Sequence, residues 1–189
     1  MIVIVMGVSG SGKSYLANKL AEKTGWIFAE GDDYHSDANK AKMHAGTPLT
    51  DKDRAPWLAT LHQLLASWQQ QGTPGILTCS ALKSTYREQL ADGLPDARFV
   101  WLDPSRSVLM DRMAHRSGHF MPAALLDSQL ATLQPPVSDP NTLRLDGTEP
   151  IEQEIDRILA WLQTTGVKPR TTESADTSDS SIPVDLHQR

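Results

Sequence analysis

Eight consecutive residues carry the clearest chemistry in the chain: Gly7-Val8-Ser9-Gly10-Ser11-Gly12-Lys13-Ser14. They satisfy the pattern G-x-x-x-x-G-K-[ST] in full. Gly7, Gly10 and Gly12 let the backbone wrap tightly, so that successive N–H groups, those of Ser9 and Ser11 among them, point at phosphate oxygens. A helix starting at Lys13 adds its positive end. Lys13 can reach the β- and γ-phosphates, and Ser14 can coordinate Mg²⁺. Tyr15 follows at once and is grouped with the nucleotide-binding residues. The pattern implies a nucleoside triphosphate with Mg²⁺ and leaves open where the phosphoryl group goes.

Three further groups bear on that question. Asp32 and Asp33 stand about twenty residues past the loop, at the end of a second strand, where open α/β sheets place ligand groups. A carboxylate there can orient Mg²⁺ or accept a proton from an attacking hydroxyl; both residues could equally cap the next turn. Arg106, Arg112, His115, Arg116 and His119 form a basic cluster. It reads as a lid that excludes water and stabilises charge on the transferred group, or as a solvated helix face. Arg112 and Arg116 share a face on a continuous helix. The polar stretch 34–56, Trp57 just after it, and residues 83–87 supply acceptor-site candidates: His35, Lys42, Arg54, Trp57, Lys83, Tyr86 and Arg87. Arg or Lys there would suit an acid substrate. Trp57 fits core and site about equally well, whereas Trp68 reads as core. The chain has no N-K-x-D guanine-reading sequence and no apolar strand ending in a Walker B aspartate, which weighs against a GTPase or a motor ATPase.

Alternating strands and helices must position these groups. Ile2–Met6 is continuously apolar, as in a parallel strand covered on both faces. Lys13–Thr24 reads as a helix stopped by Gly25. Residues 26–29, 75–79, 98–102 and 142–145 read as further strands. Helices are expected over part of 37–44 and over 53–70, 84–90, 105–113, 122–133 and 151–162. The 53–70 segment carries an apolar stripe of Trp57, Leu58, Leu61, Leu64, Leu65 and Trp68. The class is therefore α/β with a mostly parallel sheet and right-handed crossovers.

Composition narrows the function. At 189 residues and a formal charge of −5, the chain suits one domain and does not favour nucleic acid held by a general field. Its single cysteine, Cys79, cannot form an internal disulfide, which fits a reducing compartment and leads us to expect a cytoplasmic protein. No segment has the length of a membrane span, and the apolar start reads as a strand rather than a leader. Residues 167–189 lack aromatics and hold seven Ser or Thr. They read as a disordered or loose tail, although Ile182, Val184 and Leu186 alternate as a short docking strand would.

Beyond the loop, several segments in order resemble the gluconate kinase family, the small P-loop gluconokinases with a nucleoside-monophosphate-kinase-like fold. Glu30-Gly31-Asp32-Asp33-Tyr34-His35 resembles the family's acidic segment. Asn39, Lys42-Met43 and Gly46-Thr47-Pro48-Leu49-Thr50-Asp51 follow, then Asp53-Arg54-Ala55-Pro56-Trp57-Leu58. Cys79-Ser80-Ala81-Leu82-Lys83 with Tyr86-Arg87 resembles the segment after the third strand. His119-Phe120-Met121 and Leu125-Leu126-Asp127-Ser128-Gln129 resemble the lid and the helix leaving it. The likeness covers most of residues 3–160. Asp103-Pro104, Ser36 after His35, and the tail depart from the family pattern.

The resemblance implies a three-layer P-loop kinase fold over residues 1–166, with a mostly parallel five-stranded sheet, helices on both faces and a helical lid near 112–128. It implies a homodimer, ATP and Mg²⁺ as cofactors, and phosphorylation of D-gluconate at its 6-hydroxyl. In that scheme Lys13, Asp32 and Arg116 are catalytic, and Arg112 and Arg116 close over the phosphates. Asp32, His35, Arg54, Lys83 and Arg87 contact the acceptor, with Asp33 as the alternative carboxylate. Other readings are a kinase for another small sugar acid or polyol, such as shikimate, and a nucleotide-binding regulator without catalysis.

Overall fold

A computed structural model describes residues 1–115 and 123–165. Its strands are β1 (Ile2–Met6), β2 (Ile27–Glu30), β3 (Gly75–Thr78), β4 (Ala97–Leu102) and β5 (Thr142–Leu145). Its helices are α1 (Lys13–Thr24), α2 (Asp37–His44), α3 (Asp51–Gln70), α4 (Ser84–Ala91), α5 (Arg106–Ala114), α6 (Ala123–Thr132) and α7 (Ile151–Thr164). The strands form one sheet in the order β2-β3-β1-β4-β5, and all its pairings are parallel.

Alternation along the strands explains the layers. Ile2, Ile4 and Met6 of β1 face one side, where α3 and α4 pack with Leu58, Leu61, Leu65 and Leu90. Val3 and Val5 face the other, against Leu16 and Leu20 of α1 and Ile155 and Ile158 of α7. Both faces of β1 are sealed, so its residues are all apolar and buried. A third, smaller cluster joins Val8 of the glycine-rich loop to Leu82, Leu109 and Leu126. It ties that loop to α5 and α6.

Most elements fall within two residues of the reading from sequence. The start of α3 differs for a definable reason. Thr50 and Asp53 form a reciprocal capping box, so the helix begins at Asp51 rather than at Asp53. Ser36, the departure after His35, caps α2 by accepting from the Asn39 N–H at 3.2 Å. Asp103, the other departure, pairs with Arg144 at 2.7 Å and joins the β4 and β5 exits. Residues 116–122 and 166–189, which hold Arg116, His119 and the tail, lie outside the described residues.

Candidate active site

All five strands deliver their C-terminal ends to one side of the sheet. β1 is flanked by β3 and β4, so the loop leaving it sits at the point where the strand order reverses, the usual ligand crevice of such sheets. Gly7 opens this loop with φ 139°. A Cβ there would stand 2.6 Å from the Leu102 carbonyl oxygen, so only glycine lets the loop pass so close to β4. Lys13 begins α1 and its Nζ donates to the Val8 carbonyl at 3.0 Å, curling over the loop it belongs to. Ser14 is exposed in the first turn of α1.

The loops after β2 and β3 build the wall on one side. The N–H of Gly31 donates to Thr78 Oγ1 at 3.1 Å, and the Trp57 indole N–H donates to the Gly31 carbonyl at 2.8 Å. A Cβ on Gly31 would stand 2.1 Å from the Thr78 carbonyl oxygen. Gly31 is thus locked between β3 and α3, and it launches the turn that carries Asp32 and Asp33. These two diverge. Asp32 lines a cleft with Lys13 and Ser9, whereas Asp33 lines a separate surface hollow with Phe28 and Tyr34. Of the two carboxylates, Asp32 is the one that shares a cleft with the loop.

The cleft encloses about 220 Å³. Its lining includes Ser9, Lys13, Asp32, His35, Asp51, Arg54, Lys83, Tyr86 and Gln129. His35 is buried and stacks on Trp57, with centroids 4.0 Å apart. Among the described residues its Nδ1 has no hydrogen-bond partner. Burial, with Arg54 and Lys40 nearby, lowers its pKa from 6.5 to about 4, so the ring is neutral at physiological pH. Trp57 thus serves both readings, core residue and support for the site.

Lys83 Nζ donates to both oxygens of Asp51 at 2.7 Å. The Tyr86 hydroxyl donates to the same carboxylate in a very short contact. The Arg54 guanidinium lies 5.9 Å from the Tyr86 ring centroid. Lys83 and Tyr86, first among its neighbours, hold the Asp51 carboxyl below its ordinary range. The cleft therefore contains a ready-made carboxylate seat, occupied by a side chain of the chain itself. Asp51 was not singled out from sequence; its place at the start of α3, one position after the Thr50 cap, was the available signal.

One expectation needs correction. Arg87 does not line the cleft. It is buried, and its guanidinium donates to the carbonyls of Ala81 (3.0 Å), Leu82 (3.3 Å) and Gln134 (2.9 Å). It braces the β3–α4 loop from behind, where Ala81 takes a left-handed φ of 44°. Arg112 lies against the loop. Its two terminal nitrogens donate to the Ser11 carbonyl at 2.9 Å and, in a short contact, to the Gly147 carbonyl. It is fixed on the β4–β5 flank of the loop, beside a second cavity of about 440 Å³ that Tyr15 also lines. Lys42, a further candidate, pairs with Asp53 at 2.7 Å. Cys79 is buried, which pushes its thiol up to about 12 and makes it inert.

Gln129 of α6 acts where sequence alone gave it only a place in a motif. Its side-chain oxygen accepts the Ser9 N–H at 2.7 Å, and its Nε2 donates to Ser9 Oγ at 3.1 Å. Arg106 of α5 pairs with Asp127 of α6 at 2.9 Å. The two helices that flank the undescribed segment 116–122 are thereby joined to each other and to the loop.

A family model described as an AAA domain matches residues 2–136. A gluconokinase from Gluconobacter oxydans (strain 621H) is 49% identical over 162 residues, 85% of this chain and 90% of that protein. The chain belongs to the gluconokinase family. Solved structures agree with the family assignment. A gluconokinase from Sinorhizobium meliloti 1021 is 45% identical with a TM-score of 0.78, covering 86% of this chain and 91% of that one. A sugar kinase from Janibacter sp. HTCC2649 is 49% identical with a TM-score of 0.80, covering 86% and 94%. The three-layer parallel architecture is thus that of the gluconokinases, and the cleft described above is what this gluconokinase-family chain builds at its switch point. Among the described residues no helix is long and apolar enough to cross a membrane.

Proposed function

We propose that this chain transfers the γ-phosphoryl group of ATP to the 6-hydroxyl of D-gluconate, giving 6-phospho-D-gluconate and ADP. The observation that carries the reading is the composition of one cleft. It joins Lys13 and Ser9 of the phosphate loop and the Asp32 carboxylate to a carboxylate seat of Lys83, Tyr86 and Arg54. Gluconate has a primary hydroxyl at one end and a carboxylate at the other, and so needs both kinds of group. Asp51 already shows that a carboxylate is well received by Lys83 and Tyr86.

The residues present fit a magnesium ion as well. Ser14, in the first turn of α1, and Asp32, on the cleft with Lys13, offer hard oxygen donors beside the loop. That pattern suits Mg²⁺, which is held largely through phosphates and waters. When bound, the ion would neutralise charge on the β- and γ-phosphates.

In the step itself, the backbone N–H groups of the loop and Lys13 hold the triphosphate and take up charge on the transferred group. Lys83 and Arg54 orient the acceptor through its carboxylate. Asp32 accepts the proton of the 6-hydroxyl as its oxygen forms the bond to the γ-phosphorus and the bond to the bridging oxygen breaks. Gln129 keeps Ser9, and with it the loop, in register with α6.

The reading extends to a lid near residues 112–128, a cytoplasmic location and a homodimer; light scattering on the purified chain tests the last. Phosphorus NMR of the product tests the reaction. A phosphate monoester on carbon 6 is expected, with turnover reduced at least about a hundredfold in D32N. A phosphate elsewhere on the sugar acid, or full turnover in D32N, would contradict this assignment.

A further inference from the structure

Gln129 meets Ser9 through two hydrogen bonds whose directions follow from donor and acceptor chemistry alone. Gln129 shares a helical face with Leu126 and Leu133. Both leucines pack with Val8, Leu82 and Leu109, which presses the amide against the phosphate loop.

The Ser9 N–H can only donate, so the atom 2.7 Å from it is the amide oxygen of Gln129. The other amide atom is then the nitrogen, which also can only donate. Ser9 Oγ, 3.1 Å from that nitrogen, therefore accepts. A serine hydroxyl that accepts on one side keeps its own proton for another partner. Among the described residues Ser9 Oγ makes no other hydrogen bond. The Ser9 N–H is engaged by Gln129, so what Ser9 has to offer the cleft is its hydroxyl proton.

The place of Ser9 in the loop says what that proton meets. Ser9 and Lys13 line the cleft together with Asp32, whereas Ser11 and Gly12 line the cavity on the β4–β5 flank. Ser9 thus stands on the acceptor side of the loop. The phosphate that comes next to it is the terminal one, the group that moves.

We propose that Gln129 is a positioning residue that aims the Ser9 hydroxyl at the transferred phosphoryl group. The hydroxyl donates to a non-bridging oxygen while the phosphorus passes from the bridging oxygen to the acceptor. Ser9 keeps its proton throughout, and the acceptor's proton goes to Asp32. A donor oriented beforehand needs no reorganisation as the group moves. The inference rests on the reading of the cleft as the place of transfer, and adds to it a donor and the residue that directs it.

Steady-state kinetics with D-gluconate test it on S9A, S9T, Q129E and the S9A/Q129E double variant. Calorimetry with Mg-ADP and gluconate, with and without aluminium fluoride, accompanies them; aluminium fluoride on bound ADP stands in for the phosphoryl group in transit. S9A is expected to lower kcat about 10- to 100-fold and to leave both KM values within about threefold of the wild type. It should weaken capture of aluminium fluoride at least about tenfold and leave the Kd of ADP alone within about twofold. S9T keeps a hydroxyl and should hold kcat within about fivefold of the wild type. Q129E still accepts the Ser9 N–H, but its carboxylate turns the Ser9 hydroxyl towards itself. It should therefore lower kcat at least about tenfold in the wild type and less than about threefold in S9A. A carboxylate that merely repelled the phosphates would cost both backgrounds equally, and that result overturns the role of Gln129. A kcat or an aluminium fluoride affinity of S9A equal to that of the wild type overturns the proposal. If S9A does not fold, unchanged capture of aluminium fluoride by Q129E overturns it. A wild type that releases no ADP with gluconate would instead overturn the reading of the cleft.

Discussion

Replacing Lys83 with methionine isolates the carboxylate seat from the rest of the machinery. Lys83 reaches both oxygens of Asp51 at 2.7 Å and shares that carboxylate with Tyr86. In the acceptor complex the substrate carboxylate competes for the same ammonium. A charge-assisted hydrogen bond of this type contributes about 1.5–3 kcal/mol. The Lys83 side chain is 30% exposed, so solvent screens it and the lower half of that range applies. The expected loss in kcat/KM for gluconate is therefore roughly 10- to 40-fold. It should appear mainly in KM, because the carboxylate end of the substrate is remote from the reacting hydroxyl. The fold should be untouched, since an exposed ion pair contributes little, and the melting temperature should stay within about 3 °C of the wild type. KM for ATP should change by less than about twofold. Steady-state kinetics with a coupled ADP assay read all of this, with K83R as the partial rescue. A K83M enzyme whose KM for gluconate equals that of the wild type would refute the placement of the acceptor carboxylate.

Other variants probe different joints of the structure. R87M takes the donor from the buried Ala81 carbonyl and one of two donors from the Leu82 carbonyl, which keeps the Gln134 N–H, so it should cost about 1–3 kcal/mol in chemical denaturation. Its KM for gluconate should change no more than its KM for ATP; a selective rise for gluconate would return Arg87 to the acceptor site. G7A places a methyl 2.6 Å from the Leu102 oxygen at a left-handed φ, and should weaken ATP binding at least about tenfold in calorimetry. His35 has its folded pKa at about 4, below the unfolded 6.5. Its stabilising effect is therefore complete above about pH 6.5 and is lost as pH falls towards 4. That loss is at most roughly 3 kcal/mol, and about half that once water in the open cleft screens it. Urea denaturation across this range should show the decline, and H35Q should flatten it.

How much of this was legible in the sequence differs from residue to residue. The phosphate loop was, because its function is in its backbone and glycines are the trace a tight backbone leaves. The sheet was, because continuously apolar strands such as Ile2–Met6 are what burial on two faces requires. Side-chain direction was not. Lys83 and Arg87 are one helical turn apart, yet the first enters the cleft and the second turns behind the loop towards Gln134. Residue type could not separate them, since both are cations in the same motif. Arg112 reads as a lid residue when only its spacing to Arg116 is considered. Its actual partners, Ser11 and Gly147, are far away in sequence. Asp32 and Asp33 are alike in type, and only the short helical turn Gly31–Tyr34 sends these adjacent side chains into different hollows.

The most direct measurement is ADP release by the purified chain with Mg-ATP, comparing D-gluconate with shikimate, glucose, glycerate and no acceptor. Strong release with D-gluconate alone is the expected result. Release with a different acceptor while gluconate is ignored, or no release with any acceptor, would contradict the assignment of the cleft to gluconate and leave only the phosphate loop standing.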